Sequence, residues 1–445
     1  MRENMPEDMP LFMRHDAIDE LMTKNIPTEE IIEFINLAAD AGVDVADLSR
    51  GNACSFATVY EVPPFNLEPG FNMDNIRKIK EGVKIPVCGV GRLVDPADAN
   101  KFIEDGSVDM VAVGRAQLAD PEWCNKAQAG EVQKIRRCIG CAQGCYDAII
   151  DAKRPTITCT RNPVLCKEYK EIEKAETPKN IMVVGGGMAG LQTAEFLKER
   201  GHNPIVFEAG DQLGGQFHYA GVAPSKQEMD AAATWEGEEA KRLGVEIVMN
   251  TVVTPELIAE KKPDEVVIAI GSAYKAPEIE GLDGENVYTQ YQVLSGEAVP
   301  TGKVIVVGCG AVGSEVALHL ASKGAEVVCL EKKFSGNGLG MLRKMFMNND
   351  FDNAGIKAVS KANVYKIEGN TVYYKLTSKK TKKILDKERE FDSIVICTGI
   401  KARPSEELQA KCEELGIACH LVGDAKKATN ALNAAADAYA VGTTI

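Results

Sequence analysis

The chain has 445 residues, 45% apolar and 26% charged, with a net charge of -14. That length accommodates roughly two to four domains of ordinary globular composition. The acidic balance argues against a nucleic-acid binder, which would carry a basic face, and no apolar run reaches the ~18 residues of a membrane-spanning helix.

Over the first 130 residues, short apolar runs alternate with helical stretches. Strands are predicted over 9–13, 43–48, 85–90 and 108–113, and helices over 28–41, 73–80 and 96–104. Apolar strands separated by helices imply a parallel sheet covered by helices. The last two of these strands end alike, in Gly91-Arg92 and Gly114-Arg115. In a β/α barrel the loops after the last two strands bind phosphate. Glycine amides beside an arginine suit a phosphate monoester. A barrel needs about eight strands. Residues 1–130 therefore read as its second half, with two open edges that predict a separate N-terminal half-barrel chain or self-association. Arg14 is placed at the end of the first strand, as either a buried or a surface arginine. Asp47 is placed at the end of the second, as either an acid facing a substrate or a loop-capping carboxylate.

Residues 131–178 are rich in cysteine and charge. The run Cys138-Ile139-Gly140-Cys141-Ala142-Gln143-Gly144-Cys145 is followed by Cys159. Three closely spaced thiolates and a fourth near by suit a 4Fe-4S cluster. A zinc site would usually show a second paired Cys-x2-4-Cys element, which is missing. Cys166 is a spare, with a turn at Asn162-Pro163 leading it away. Cys88, Cys329 and Cys397 sit in apolar runs and read as small core hydrophobes. Thirteen cysteines, an odd number, suit a reducing compartment, and the charged N-terminal segment lacks the apolar core of a signal peptide. A cytoplasmic location is expected.

From Asn180 a unit occurs twice. A strand leads to Gly185, Gly187 and Gly190, then a helix, then a strand ending at Glu208. A second strand leads to Gly308, Gly310 and Gly313, then a helix, then a strand ending at Glu331. Each copy has the strand–turn–helix–acid context of a dinucleotide site. The first glycine allows the turn, the second the approach of a pyrophosphate, and the third close helix packing. Glu208 and Glu331 are placed to accept ribose hydroxyls. A carboxylate at Glu331 favours NADH over NADPH, although Lys332 and Lys333 could pair with a 2′-phosphate. Asp424, in Gly423-Asp424 before an alanine-rich helix, reads as a flavin contact or as a helix N-cap.

This order of barrel strands, paired Gly-Arg, Cys-Ile-Gly-Cys-x3-Cys and two nucleotide folds resembles the multidomain branch of the old yellow enzyme family. That branch includes 2,4-dienoyl-CoA reductase, enoate reductases, bile-acid-inducible flavin oxidoreductases and trimethylamine dehydrogenase. The resemblance implies an α/β architecture. Residues 1–130 would form a half-barrel, 131–178 a cluster segment, 179–296 with 386–445 an FAD domain, and 297–385 an NAD(P)H domain. It also implies electron flow from NADH through FAD and the cluster to FMN, which reduces a C=C bond of an unsaturated small molecule. Arg14 would meet the FMN ring edge, and Gly91, Arg92, Gly114 and Arg115 its phosphate. Cys138, Cys141, Cys145 and Cys159 would bind the cluster. Gly185, Gly187, Gly190, Glu208, Gly215, Gln216 and Asp424 would bind FAD, and Gly308, Gly310, Gly313 and Glu331 NADH. Asp47 resembles an active-site aspartate of the amine-dehydrogenase members. An electron-transfer subunit without FMN chemistry is the alternative reading, and an amine dehydrogenase-like enzyme a third.

Overall fold

The computed structural model describes residues 2–18, 26–52, 58–151, 153–154, 156–378 and 380–445. The chain divides into two units, Met1–Leu165 and Cys166–Ile445.

In the first unit, the strands Phe12–Asp16, Val45–Ser49, Val87–Gly89 and Met110–Val111 form one parallel sheet in that order. The helices Thr28–Asp40, Met73–Lys80 and Pro96–Glu104 follow the first three strands. Met73, Ile76 and Ile79, three residues apart on one helix face, are all buried. They pack with Ile31, Ile35, Ala46, Leu48 and Val87 in one core. Asp95 caps the third helix by accepting the Ala97 N–H at 2.9 Å, with Pro96 at the first helical position. Strand residues alternate faces, so Asp47 and Cys88 project opposite to Ala46 and Val87, away from the helix-packed face.

In the second unit, two five-stranded parallel sheets have the strand orders of nucleotide-binding folds. The first runs Ala418–Leu421, Glu265–Ile268, Asn180–Val184, Asn203–Phe207, Glu246–Val248. The second runs Val287–Thr289, Ser393–Ile396, Lys303–Val307, Glu326–Glu331, Lys357–Ser360. The short antiparallel pair Ser272–Tyr274 and Ile400–Ala402 joins segments leaving each sheet. A three-stranded antiparallel sheet, Ala362–Glu368, Thr371–Thr377 and Ile384–Glu390, packs Val364, Ile367, Val372 and Tyr374 into the core of the second fold.

Several expectations need correction. The first strand starts and ends three residues later than the apolar run suggested, so Arg14 stands at its middle, as Asp47 does in the second strand. The apolar run marks the chain entering the sheet, whereas ladder pairing extends through Arg14, His15 and Asp16. Gly114 and Arg115 lie in the short helix Gly114–Ala119 rather than in a loop. The second nucleotide fold is not confined to 297–385, because Val287–Thr289 and Ser393–Ile396 are ladder partners within its sheet. The segment 131–178 is divided at Leu165, so only its cysteine-bearing part belongs to the first unit.

At both nucleotide turns the third glycine is required by close approach. A Cβ on Gly190 would stand 2.0 Å from the Gly185 carbonyl oxygen, and one on Gly313 2.0 Å from that of Gly308. Gly313→Ala is therefore expected to push the helix Ala311–Ser322 off its strand and to cost about 1–3 kcal/mol. Thermal unfolding checks this, with an unchanged midpoint as the contrary result.

Candidate functional site

In the first unit, Arg14 and Asp47 are register partners, and Asp47 is in turn opposite Cys88. Arg14 Nη1 donates to Asp47 Oδ2 at 2.7 Å. The Arg14 side chain is 52% exposed, so the buried alternative for it does not hold, while Asp47 is 20% exposed. Asp47 Oδ1 is buried with no hydrogen-bond partner among the described residues. Burial, and then the Asp47 charge, push the Cys88 thiol up to about 11. This polar row borders a cavity of about 230 Å³ lined by Arg14, Gly91, Arg92, Gly114, Arg115 and Cys138, among others. Arg92 adopts a left-handed φ of 59° and its guanidinium donates to the Leu67 carbonyl. Arg115 Nη1 is buried without a hydrogen-bond partner among the described residues. An orphaned donor beside two glycines and a second arginine fits an anionic phosphate.

A second cavity is lined by Cys138, Cys141, Cys145 and Cys159 together, with Arg115 and Arg161. Cys166 is exposed and does not line it. Within this loop Gly140 and Ala142 adopt left-handed φ of 60° and 57°. Backbone N–H groups approach the sulfurs: Gly140 to Cys138 at 3.5 Å, Tyr146 to Cys145, and Asn162 and Arg161 to Cys159. Burial, and then Cys141 and Cys138, push the Cys159 thiol up to about 12. Burial, and then Cys141, push Cys145 up to about 11. Such crowded thiols need cationic compensation before they can ionise. Among the described residues, no group of three or more His, Cys, Asp or Glu is arranged to hold a metal ion. Arg115 and Cys138 line both cavities.

In the second unit, the two glycine turns are built alike. Gly185 and Gly308 have φ of 109° and 95°. Glu208 accepts the Gly186 and Gly210 N–H groups, each at 2.8 Å. Glu331 accepts those of Cys309 and Lys333, each at 2.7 Å. A Cβ on Gly187 would meet nothing nearer than Gly215 Cα at 4.0 Å, which leaves that turn open to a ligand. Gly310 faces the Asn337 carbonyl at 3.4 Å on the same measure.

Beside the first turn runs a hydrogen-bonded chain. Tyr291 donates to Gln216 Oε1 at 3.1 Å, Gln216 Nε2 donates to the Ser272 carbonyl at 3.0 Å, and Ser272 Oγ donates to Asp424 Oδ2 at 2.7 Å. Asp424 Oδ1 accepts the Thr429 N–H at 2.9 Å. Gln216 and Asp424 are residues in this chain that the family resemblance singles out as FAD contacts. Ser272 and Tyr291 are not singled out, for no local pattern marks residues that meet only through the fold.

Residues 1–134 match the NADH:flavin oxidoreductase / NADH oxidase family, and residues 179–442 the pyridine nucleotide-disulphide oxidoreductases. The chain belongs to the multidomain old yellow enzyme-like flavin oxidoreductases. It is 34% identical to an NADH oxidase of Thermoanaerobacter brockii over 99% of its length and 67% of the relative's. It is 32% identical to a cinnamate reductase of Clostridium sporogenes over 74% of its length and 51% of the relative's. A solved 2-naphthoyl-CoA reductase shares its fold with a TM-score of 0.92 and 24% identity, over 100% of this chain and 66% of that one. The chain thus spans about two thirds or less of these relatives. In this flavin oxidoreductase, as the resemblance led one to expect, a flavin-family segment precedes the nucleotide folds. Among the described residues no helix is long and apolar enough to cross a membrane.

The open Gly187 turn predicts a separation of folding from binding. Gly187→Ala is expected to leave the melting midpoint of the FAD-free protein in place and to weaken FAD by about tenfold or more. Flavin fluorescence titration checks this, and undiminished affinity would contradict it.

Proposed function

We propose that this oxidoreductase takes electrons from NADH and delivers them, through FAD and a 4Fe-4S cluster, to FMN for reduction of an activated C=C bond. The carrying observation is the shared wall: Arg115 and Cys138 line both the four-cysteine cavity and the Gly91–Arg92, Gly114–Arg115 cavity. When bound, a flavin accepts a hydride pair and exchanges single electrons, and the cluster carries them one at a time. Cys138, Cys141, Cys145 and Cys159 would hold the cluster. The cysteine spacing, which lacks a second paired Cys-x2-4-Cys element, suits an iron–sulfur cluster better than zinc, and backbone N–H groups at the sulfurs are the kind of contact that tunes such clusters. Gly91, Arg92, Gly114 and Arg115 would hold the FMN phosphate, with Arg14 toward its ring. Gly185, Gly187, Gly190, Glu208, Gly215, Gln216 and Asp424 would hold FAD. Gly308, Gly310, Gly313 and Glu331 would hold NADH, and the burial of Glu331 supports it over NADPH.

Asp47 is read as the residue that orients substrate or supplies a proton, because its Oδ1 is buried without a partner among the described residues. We also propose a partner for the four-stranded sheet: a separate half-barrel chain or a second copy. The support is apolar. Met9, Phe12, Phe34 and Leu37, on or beside the outer strand and its helix, are about half exposed or more. A cytosolic location belongs to the same proposal, since such a cluster persists most readily where thiols stay reduced.

Anaerobically purified protein is expected to carry about four irons per chain and FAD, with FMN and enoate reduction appearing once the half-barrel is complete. Cys141→Ser is expected to remove most of the iron while FAD binding stays. Metal and flavin analysis tests both. FAD and iron with NADH oxidation by artificial acceptors, but no FMN and no enoate reduction in any combination, would favour the electron-transfer reading instead. Zinc in place of iron would defeat the cluster.

A further inference from the structure

Three residues past Glu331, Phe334 holds a large apolar ring 53% exposed, outside both cores of the second nucleotide fold. A single exposed ring means little by itself, but this one is fixed in place. Its carbonyl accepts the Asn337 N–H at 3.0 Å, which closes a turn. The residues of that turn are tied to two neighbours. Ser335 N–H donates to Ser360 Oγ at 3.0 Å, and Gly336 N–H donates to the carbonyl of Cys309, inside the glycine turn, at 2.7 Å. Lys361 N–H donates to the Lys333 carbonyl at 2.8 Å, and the Lys361 ammonium lies 4.5 Å from the centre of the Phe334 ring. An ammonium over a ring face is attracted to it and holds the ring there. It can cover only one face of a ring that is more than half exposed, which leaves the other for a planar group.

The place of the ring in the fold gives that planar group an identity. Glu331 and Ser360 are register partners at the ends of adjacent strands, and Phe334 and Lys361 belong to the segments that leave those two ends. With Glu331 taking the adenosine ribose, the base bonded to C1′ of the same sugar lies within reach of these segments. Adenine is flat and uncharged, with two π faces. Stacking on an aromatic side chain recognises such a base without matched hydrogen bonds. A ring already held by a tethered turn and a cation loses little freedom when the base arrives.

We propose that Phe334 stacks on the adenine ring of the dinucleotide bound at the second glycine turn, with Lys361 holding the ring from behind. This rests on the NADH reading of that turn and adds the residue that recognises the base. The test uses the full chain loaded with FAD. ADP-ribose, which has the adenosine end and lacks nicotinamide, is titrated by calorimetry into wild type, Phe334→Ala and Phe334→Leu. Both variants are expected to bind it about tenfold more weakly, since leucine keeps the bulk without the π face. Phe334→Trp is expected to bind as wild type does. It also adds a fluorescence that ADP-ribose quenches, beyond any change from the two native tryptophans. Reduced nicotinamide mononucleotide, which lacks adenine, supplies the contrast. Phe334→Ala is expected to lower the second-order rate of flavin reduction by NADH about tenfold and to leave the rate with the mononucleotide unchanged. Equal falls for NADH and the mononucleotide, undiminished affinity of Phe334→Ala for ADP-ribose, or no added quenching in Phe334→Trp overturn the proposal. If Phe334→Ala does not fold, Phe334→Leu decides on the same criteria. Wild type separates the two readings. If it binds ADP-ribose and is reduced by NADH, and the variants do the same, only the stacking role is lost. If wild type does neither, the NADH reading of the second turn is lost.

Discussion

One carboxylate governs each nucleotide turn. Glu208 and Glu331 sit at the ends of their strands and reach back to a backbone N–H of the glycine loop, at Gly186 and Cys309. Each also accepts a second N–H just beyond its own strand, at Gly210 and Lys333. The loop is thereby pinned to the neighbouring strand before any ligand arrives. The third glycine is what permits this, since a methyl group there would strike the carbonyl of the first. A carboxylate oxygen has room for more than one donor, so a ribose hydroxyl can join without displacing the loop. The same acid serves as structural clamp and, under the proposed assignment, would also be a ligand contact.

In the first unit the corresponding constraint is the loop of cysteines. Gly140 must be a glycine because a Cβ there would meet the Phe65 nitrogen at 2.8 Å and the Arg92 guanidinium at 2.9 Å. That contact sets the cysteine loop directly against Arg92. Arg115 completes the wall, lining both cavities with a donor that no described residue satisfies. If the two cavities take the proposed phosphate and cluster, a positive group between them would lower their mutual repulsion.

Legibility followed locality. The helices at 73–80 and 96–104 were found to the residue, because their apolar spacing and, in the second, an Asp-Pro cap are local signals. The nucleotide turns were legible for the same reason. The strand Ile384–Glu390 was not, since its residues are almost all exposed and charged and offer no alternation to read. The second fold drew strands from both sides of its expected segment, Val287–Thr289 and Ser393–Ile396, and pairing partners so far apart leave no mark in either stretch. The Ser272–Asp424 hydrogen bond joins residues 152 positions apart and was equally hidden.

The four-stranded sheet shows why a polar row can be read as a site. On its helix side Ala46, Leu48 and Val87 are buried among apolar residues, as a packed sheet requires. On its other face Arg14, Asp47 and Cys88 stand in register. A buried thiol beside a carboxylate with one unpartnered oxygen is unfavourable, and its cost would not be offset by packing alone. Such groups persist at a strand row when something polar is meant to meet them there. The Gly-Arg cavity borders the same row. Under the proposed assignment, Arg14 is the member of the row that would connect the polar face to the phosphate end, since it alone of the three is among the residues lining that cavity.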